Sequence, residues 1–327
     1  PTLDCAACIG TPKMVEVTQN PNFRLLTYSE VTDVSGYIGN YQVTVTRKPR
    51  YIKEGICTGC GECAKVCPVV RPDEFNMGLS SRRAIYSPFP QAVPSAYVLN
   101  PNECLGNNPT VCTKCLDACE KQCIDFHMSD QTLTEQVGTI VVATGLSPHD
   151  PRVLDEYGYT RFENVLTSLE FERLSNATGP TGGKIMMRDE NGDFSRPPES
   201  VALVHCVGSR DVNYHEYCSR VCCMYALKYS HLIKEKVGHH TKVYDFYIDM
   251  RCFGEGYEEF YRRCQEEGTT FIRGKVAEIS DQPQSPEEEG KLVAIAEDTL
   301  LGKRLRLPVG MFVLCSAIQA RSDAVDV

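Results

Sequence analysis

Four thiols within twelve residues are the first chemistry this chain offers: residues 57–68 read CTGCGECAKVCP. Thiolates are soft ligands that select zinc or iron–sulfur. The spacing Cys-x2-Cys-x2-Cys-x3-Cys-Pro is that of a bacterial-type ferredoxin, in which three thiolates hold one [4Fe–4S] cluster and the fourth reaches across to another. A zinc site more often pairs two Cys-x2-Cys arms across a longer gap. Gly59 and Gly61 let the backbone wrap closely enough for amide N–H groups to point at sulfur. A second, complementary set lies in CLGNNPTVCTKCLDACEKQC at residues 104–123. Read backward from the Cys-x3-Cys step, Cys115 and Cys119 match the third and fourth positions, Cys112 the second, and Cys104 the first across a seven-residue loop. Cross-ligation then gives one cluster to Cys57, Cys60, Cys63 and Cys119 and the other to Cys67, Cys104, Cys112 and Cys115. Cys123 is left over. A rival assignment puts Cys123 in the place of Cys119; Cys119 is preferred because Glu120 and the Ile124-Asp125-Phe126 beyond it sit where such second motifs continue.

A third block, HEYCSRVCCMYALKYS at residues 215–230, carries three cysteines, two of them adjacent. Buried cysteine often serves as a small hydrophobe, but adjacent helical residues diverge by about 100° and cannot share one apolar stripe. The surroundings read as a βαβ unit: SVALVHCVGSRD is a strand and turn, YCSRVCCMYALKYSHLIKEK an amphipathic helix, TKVYDFYIDMR the next strand. Cys206 ends the first strand, Cys218 precedes the helix, and Cys222 and Cys223 lie in its first turn. The unpaired amides and positive dipole end of a helix N-terminus favour an anion, which a four-thiolate [4Fe–4S] cluster is. These four are therefore expected to hold a third cluster, structural thiols being the alternative. The cysteines stand where a nicotinamide-binding domain would carry its glycine fingerprint, which speaks against a self-sufficient NAD(P)H dehydrogenase.

The elements that must position these thiols can be read around them. FRLLTYSEVTDVSGYIGNYQVTVTRKPR alternates apolar and polar residues and reads as three short strands of a meander, with turns at Gly36 and Gly39-Asn40. SPFPQAVPSAYVLNP is extended linking chain and the strand entering the second motif. TEQVGTIVVATG is an apolar strand ending in Thr144-Gly145, the kind of strand with which two-dinucleotide-binding flavoproteins close an FAD domain, although a plain buried strand reads the same way. No Gly-x-Gly-x-x-Gly turn precedes the meander to seat the FAD pyrophosphate. The expectation is either a carboxy-terminal piece of a longer chain or a second polypeptide that supplies that half. The domains expected are a partial FAD-domain region at 1–50, the ferredoxin domain at 51–130, the closing strand at 131–150, and a second dinucleotide-binding-like domain at 151–327.

The 18 cysteines in 327 residues come without a secretory signal pattern, which points to a reducing, cytoplasmic setting rather than a disulfide scaffold. A net charge of −9 lacks the basic face that nucleic acid requires. No apolar run approaches the ~18 residues of a bilayer span, so no direct membrane span is expected. His205, His215, His239 and His240 read as surface or satisfied residues, because thiolates already complete the four-ligand sites.

Taken together, PTLDCAACIGTPKMVEV, LLTYSEVTDVSGYIGNYQVTVTRKPRY, the ferredoxin insert, FPQAVP, VHCVGSRD, YCSRVCCMYALK and FGEGYEEFYRRCQEEG closely resemble the HdrA subunit of heterodisulfide reductase and its relatives. The resemblance implies an α/β fold, partial and thioredoxin-reductase-like with two dinucleotide-binding domains, carrying an inserted 2[4Fe–4S] ferredoxin domain. It implies an iron–sulfur flavoprotein oxidoreductase that relays electrons among FAD and three [4Fe–4S] clusters, with flavin-based bifurcation or confurcation, in a complex with other subunits and an electron donor or acceptor. It also puts Cys5 and Cys8 near the flavin, where a Cys-x2-Cys pair would be a redox disulfide, half a metal site or a packing choice. The chain departs from the family pattern in lacking the amino-terminal cluster region, the FAD fingerprint and a carboxy-terminal ferredoxin module. In MFVLCSAIQA, Ile318 replaces an expected small residue. Cys123, Cys252 and Cys264 stand where ordinary residues are expected and read as packing thiols. The competing reading from another class is a zinc-stabilised, non-redox assembly protein.

Overall fold

The computed structural model describes residues 6–106 and 111–324. The chain divides into two compact units, with the boundary between Ala143 and Thr144.

The first unit is framed by a three-stranded antiparallel sheet in the order Ser29–Tyr37, Asn40–Arg47, Gln131–Val137. The expected local meander is thus corrected. Only two of its strands come from residues 23–50; the third arrives from beyond residue 130, with Tyr41 opposite Val137 and Arg47 opposite Gln131. The hairpin reverses at Ile38-Gly39, since Tyr37 pairs with Asn40, and Gly36 lies inside the strand opposite Tyr41. Gly36 is needed there for its φ of +103°, and a Cβ would stand 2.3 Å from the Asn40 carbonyl oxygen.

Between the second and third strands of that sheet runs the thiol-rich insert. Its two helices are single turns, α2 at Glu62–Lys65 and α3 at Lys114–Asp117, following α1 at Ala6–Gln19. Two short strand pairs, Arg71–Pro72 with Ser81–Arg82 and Ile85–Tyr86 with Val98–Leu99, close the intervening chain. An isolated bridge joins Ile52 to Ile124 and brings the two ends of the insert together. The core here is small, with Ile52, Ala84, Ile85, Leu99 and Ile124 packed among Cys63, Cys104, Cys115 and Cys123.

A second correction concerns the expected closing strand. The ladder ends at Val137, and residues 139–145 form no strand; Val141 is 86 % exposed. A segment apolar on both faces becomes a strand only between neighbours that cover it, as in a parallel sheet. No described strand pairs with it.

The second unit is built on a five-stranded parallel sheet, ordered Thr269–Arg273, Lys242–Tyr247, Ser200–Val207, Met311–Ser316, Val165–Thr167. The central strand, SVALVHCV, is buried from Val201 onward, which explains why its apolar run does not alternate. Helices α4 (Ser168–Ser175), α5 (Cys222–Lys236) and α6 (Tyr257–Glu266) accompany the sheet. A three-stranded antiparallel sheet, Val276–Ser280, Leu292–Asp298 and Lys303–Val309, is inserted before the Met311–Ser316 strand. The chain is thus mixed α/β. No described helix is long and apolar enough to cross a membrane.

Candidate metal centres

The first motif wraps as its glycines require. Gly59 and Gly61 take φ of +71° and +83°; a Cβ on the first would stand 2.9 Å from Ser95 Oγ and on the second 2.9 Å from the Tyr97 hydroxyl. The turn they make faces a cavity of 260 Å³ lined by Cys57, Cys60 and Cys63 from the first motif and by Cys119 and Cys123 from the second. Burial, and then the neighbouring Cys57 thiol, push Cys63 up to about 12. Cys123 is likewise pushed to about 12, by burial and then by Cys119. For Cys119 burial acts in the same sense, yet donors from Cys123, Lys121 and Gln122 outweigh it and hold the thiol below its usual range. The Cys119 and Cys123 sulfurs lie 3.5 Å apart.

A second pocket is lined by Cys67 from the first motif and by Cys104, Cys112 and Cys115 from the second, against Val69, Ile85 and Leu99. Cys115 is raised to about 11 by burial and then by Cys104. The Gly106 N–H donates to Cys104 Sγ at 3.3 Å. Each pocket therefore takes thiols from both motifs: Cys119 and Cys123 reach the first from the second motif, and Cys67 reaches the second from the first. Both donor sets suit a soft metal centre, and binding one would displace the protons that burial favours on Cys63 and Cys115.

In the second unit, the ladder between Ser200–Val207 and Met311–Ser316 slips between Val204 and Val207, because Cys206 adopts φ +58°. The resulting bulge turns the thiol out of the strand's regular alternation. Helix α5 begins at Cys222, after an N-cap Val221 that offers no side-chain cap. Cys222 is pushed up to about 12, first by its hydrogen bond with Cys206, with Cys218 adding to the effect. Cys223 is also raised to about 12, first by its hydrogen bond with Cys222. The Arg220 N–H donates to Cys218 Sγ at 3.3 Å. Four thiols at an uncapped helix start fit an anionic thiolate-bound cluster in donor type and number.

Other sequence candidates fall elsewhere. Cys5 lies outside the described residues, and Cys8 is exposed on α1. Thr144 and Gly145 are exposed on unpaired chain, and a Cβ on Gly145 would meet nothing within 4 Å. Cys264 is fully buried on α6 with its thiol on the Leu227 carbonyl at 3.5 Å, a packing position.

His205 is no surface residue: it is buried at 2 % exposure with Nε2 3.1 Å from the Asp245 carboxylate. Burial opposes its charge, but Asp245 outweighs burial and holds His205 up at about 10. Sequence reading missed this pair, because Asp245 sits on the neighbouring parallel strand and no local spacing links the two. His215 is satisfied by Gln319 at 3.0 Å, and His239 and His240 are exposed.

Comparison with known proteins agrees with the thiol pattern. A family described as "4Fe-4S binding domain" matches residues 50–70. The chain is 46 % identical over 329 residues to the second A-type iron-sulfur subunit of CoB--CoM heterodisulfide reductase from Methanopyrus kandleri, covering 100 % of this chain and 48 % of that protein. It is 46 % identical to the A-type subunit of H(2):CoB-CoM heterodisulfide,ferredoxin reductase from Methanothermobacter thermautotrophicus, over 96 % of this chain and 46 % of the relative. It is 44 % identical to the A-type subunit of the ferredoxin/F(420)H(2)-dependent CoB-CoM heterodisulfide reductase of Methanosarcina acetivorans, over 92 % and 36 % respectively. The chain thus spans about half the length, or less, of these curated relatives.

Proposed function

We propose that this chain, 45–46 % identical over nearly its whole length to A-type subunits of heterodisulfide reductase, is an electron-transfer component of such an oxidoreductase complex, carrying three [4Fe–4S] clusters. One observation carries the reading: twelve cysteines from four separate stretches of sequence gather in three groups of four, with Cys123 beside the first. Cys57, Cys60, Cys63 and Cys119 would hold the first cluster, Cys67, Cys104, Cys112 and Cys115 the second, and Cys206, Cys218, Cys222 and Cys223 the third.

A bound cluster supplies one-electron chemistry with its potential set by charge, hydrogen bonds to sulfur and exposure. The chain's own residues set those terms. Gly106 N–H and Arg220 N–H donate to ligand sulfurs, while Val69, Ile85 and Leu99 keep water from the second site. His205 and Asp245 place a buried ion pair beside the third.

The thioredoxin-reductase-like architecture belongs to the same proposal, supported by a parallel sheet whose last crossover carries an antiparallel three-stranded excursion. Contact of Thr144 and Gly145 with FAD would require further sheet beside residues 139–145. Other subunits of a heterodisulfide reductase-like complex, one of them an electron donor or acceptor, are the proposed partners, and electron bifurcation or confurcation is a property proposed for the assembled complex alone.

Anaerobic analysis of iron and acid-labile sulfide tests the reading. About twelve irons per chain are expected from three cubane clusters, with visible absorption that dithionite bleaches. Eight irons or fewer remove the third cluster; zinc without sulfide replaces the whole reading by the assembly protein.

A further inference from the structure

The first cavity holds one thiol more than a cubane cluster needs. We propose that Cys123 is a reserve ligand of that site, able to take the place of Cys119 on the same iron. The inference rests on the reading that this cavity binds a [4Fe–4S] cluster.

The geometry makes the two sulfurs near equivalents. Cys119 and Cys123 both line the cavity with Cys57, Cys60 and Cys63, and their sulfurs stand 3.5 Å apart. That is less than two metal–thiolate bonds of about 2.3 Å each, so one iron position lies within reach of either sulfur. Cys123 is 4 % exposed and also interacts with the Cys57 thiol. Cys123 also packs with Ile52 and Ile124; it differs from Cys264, whose thiol rests on the Leu227 carbonyl, in that its sulfur meets another thiol at the cavity.

The backbone ties Cys123 to the start of the insert as well as to Cys119. Its carbonyl accepts from Lys53 N–H at 2.7 Å, next to the Ile52–Ile124 bridge that closes the insert. Cys119 instead lies just beyond the short helix α3, where its N–H is bonded to the Leu116 carbonyl at 3.2 Å. The second sulfur therefore stays at the cavity when the first is lost. Exchange balances without electron transfer. With a cluster bound, the iron–Cys119 bond would break, the iron–Cys123 bond would form, and the proton of the Cys123 thiol would pass to the Cys119 sulfur.

The test uses the full chain, purified anaerobically, with iron and sulfide counts and the paramagnetic signals of the dithionite-reduced protein. Cys119→Ala and Cys123→Ala are each expected to keep the full iron content of the unaltered chain, with the first cluster's signal shifted in Cys119→Ala. The double variant should lose one cluster, about four irons, while the second cluster's signal persists and shows that the insert is folded. If Cys119→Ala alone loses as much iron as the double variant, Cys123 is no ligand and the proposal falls. A Cys60→Ala variant separates the cluster site from its reserve ligand. Loss of one cluster there upholds the site itself, whereas retention of all iron would overturn the cluster reading and the reserve ligand with it.

Discussion

At the scale of single residues, Cys206 shows what a thiol site asks of a strand. It adopts a left-handed φ of +58° inside an otherwise parallel ladder, a conformation that costs a non-glycine residue on the order of 1–3 kcal/mol. The neighbouring apolar contacts of Val204 and Val207, both fully buried, hold the bulge in place. The cost and the ligand can be separated. Glycine accepts the backbone and offers no sulfur; alanine offers neither. Cys206→Gly is therefore expected to be more stable than Cys206→Ala by about 1 kcal/mol, while both lose the third cluster's iron. Denaturant unfolding of the two iron-depleted variants checks the difference. Equal midpoints would mean that the bulge is not strained, and that the conformation of Cys206 has a different cause.

Among elements, the two units differ in what holds them together. The insert between Arg47 and Gln131 has two single-turn helices, paired strands two residues long, and a core in which cysteines are interleaved with a few aliphatic side chains. The second unit has a central sheet packed on residues such as Phe246, Phe312, Leu314 and Val204, all essentially without solvent contact. Removing iron should loosen the first far more than the second, because small folds with little apolar core depend on their metal. Hydrogen exchange after chelation is expected to accelerate at amides across 51–130 and to leave the Ser200–Val207 and Met311–Ser316 strands protected. Uniform protection would show that the insert's fold stands without metal. Much of this organisation was legible in the sequence. The thiol spacing is a local signal and marked both ferredoxin motifs, and the buried strand, the helix starting near Cys222 and the following strand were all visible as pattern. What was hidden is non-local. The third strand of the amino-terminal sheet comes from Gln131–Val137, more than eighty residues beyond its partner in sequence, and no hairpin signal announces it. Residues 139–145 have the composition of a buried strand, but composition cannot say whether neighbours are present to bury it. The His205–Asp245 pair depends on strand order, and the proximity of Cys123 to Cys119 on a bend at Gln122, whose φ of +49° no composition signals.

For the molecule as a whole, the net charge of −9 means that the proposed anionic clusters would sit in an already acidic chain, and their thiols are compartmented. Every proposed ligand of the two ferredoxin-type sites lies in the first unit, and every proposed ligand of the third lies in the second. Damage to one site should therefore stay there. Cys223 lies in the first turn of α5, a helix of 15 residues anchored by buried Ala226, Leu227 and Ile233, none of which needs the cluster to stay packed. Replacing Cys223 by alanine removes one of four thiolates and leaves the cubane labile, yet strand and helix keep their apolar contacts. The expected outcome is loss of a single paramagnetic species from the reduced protein, about four irons fewer per chain, and unchanged signals from the ferredoxin pair. An intact spectrum would return Cys222 and Cys223 to the role of packing residues. Loss of all the signals would mean that the two units stabilise each other's metal sites, and that the compartments are not independent.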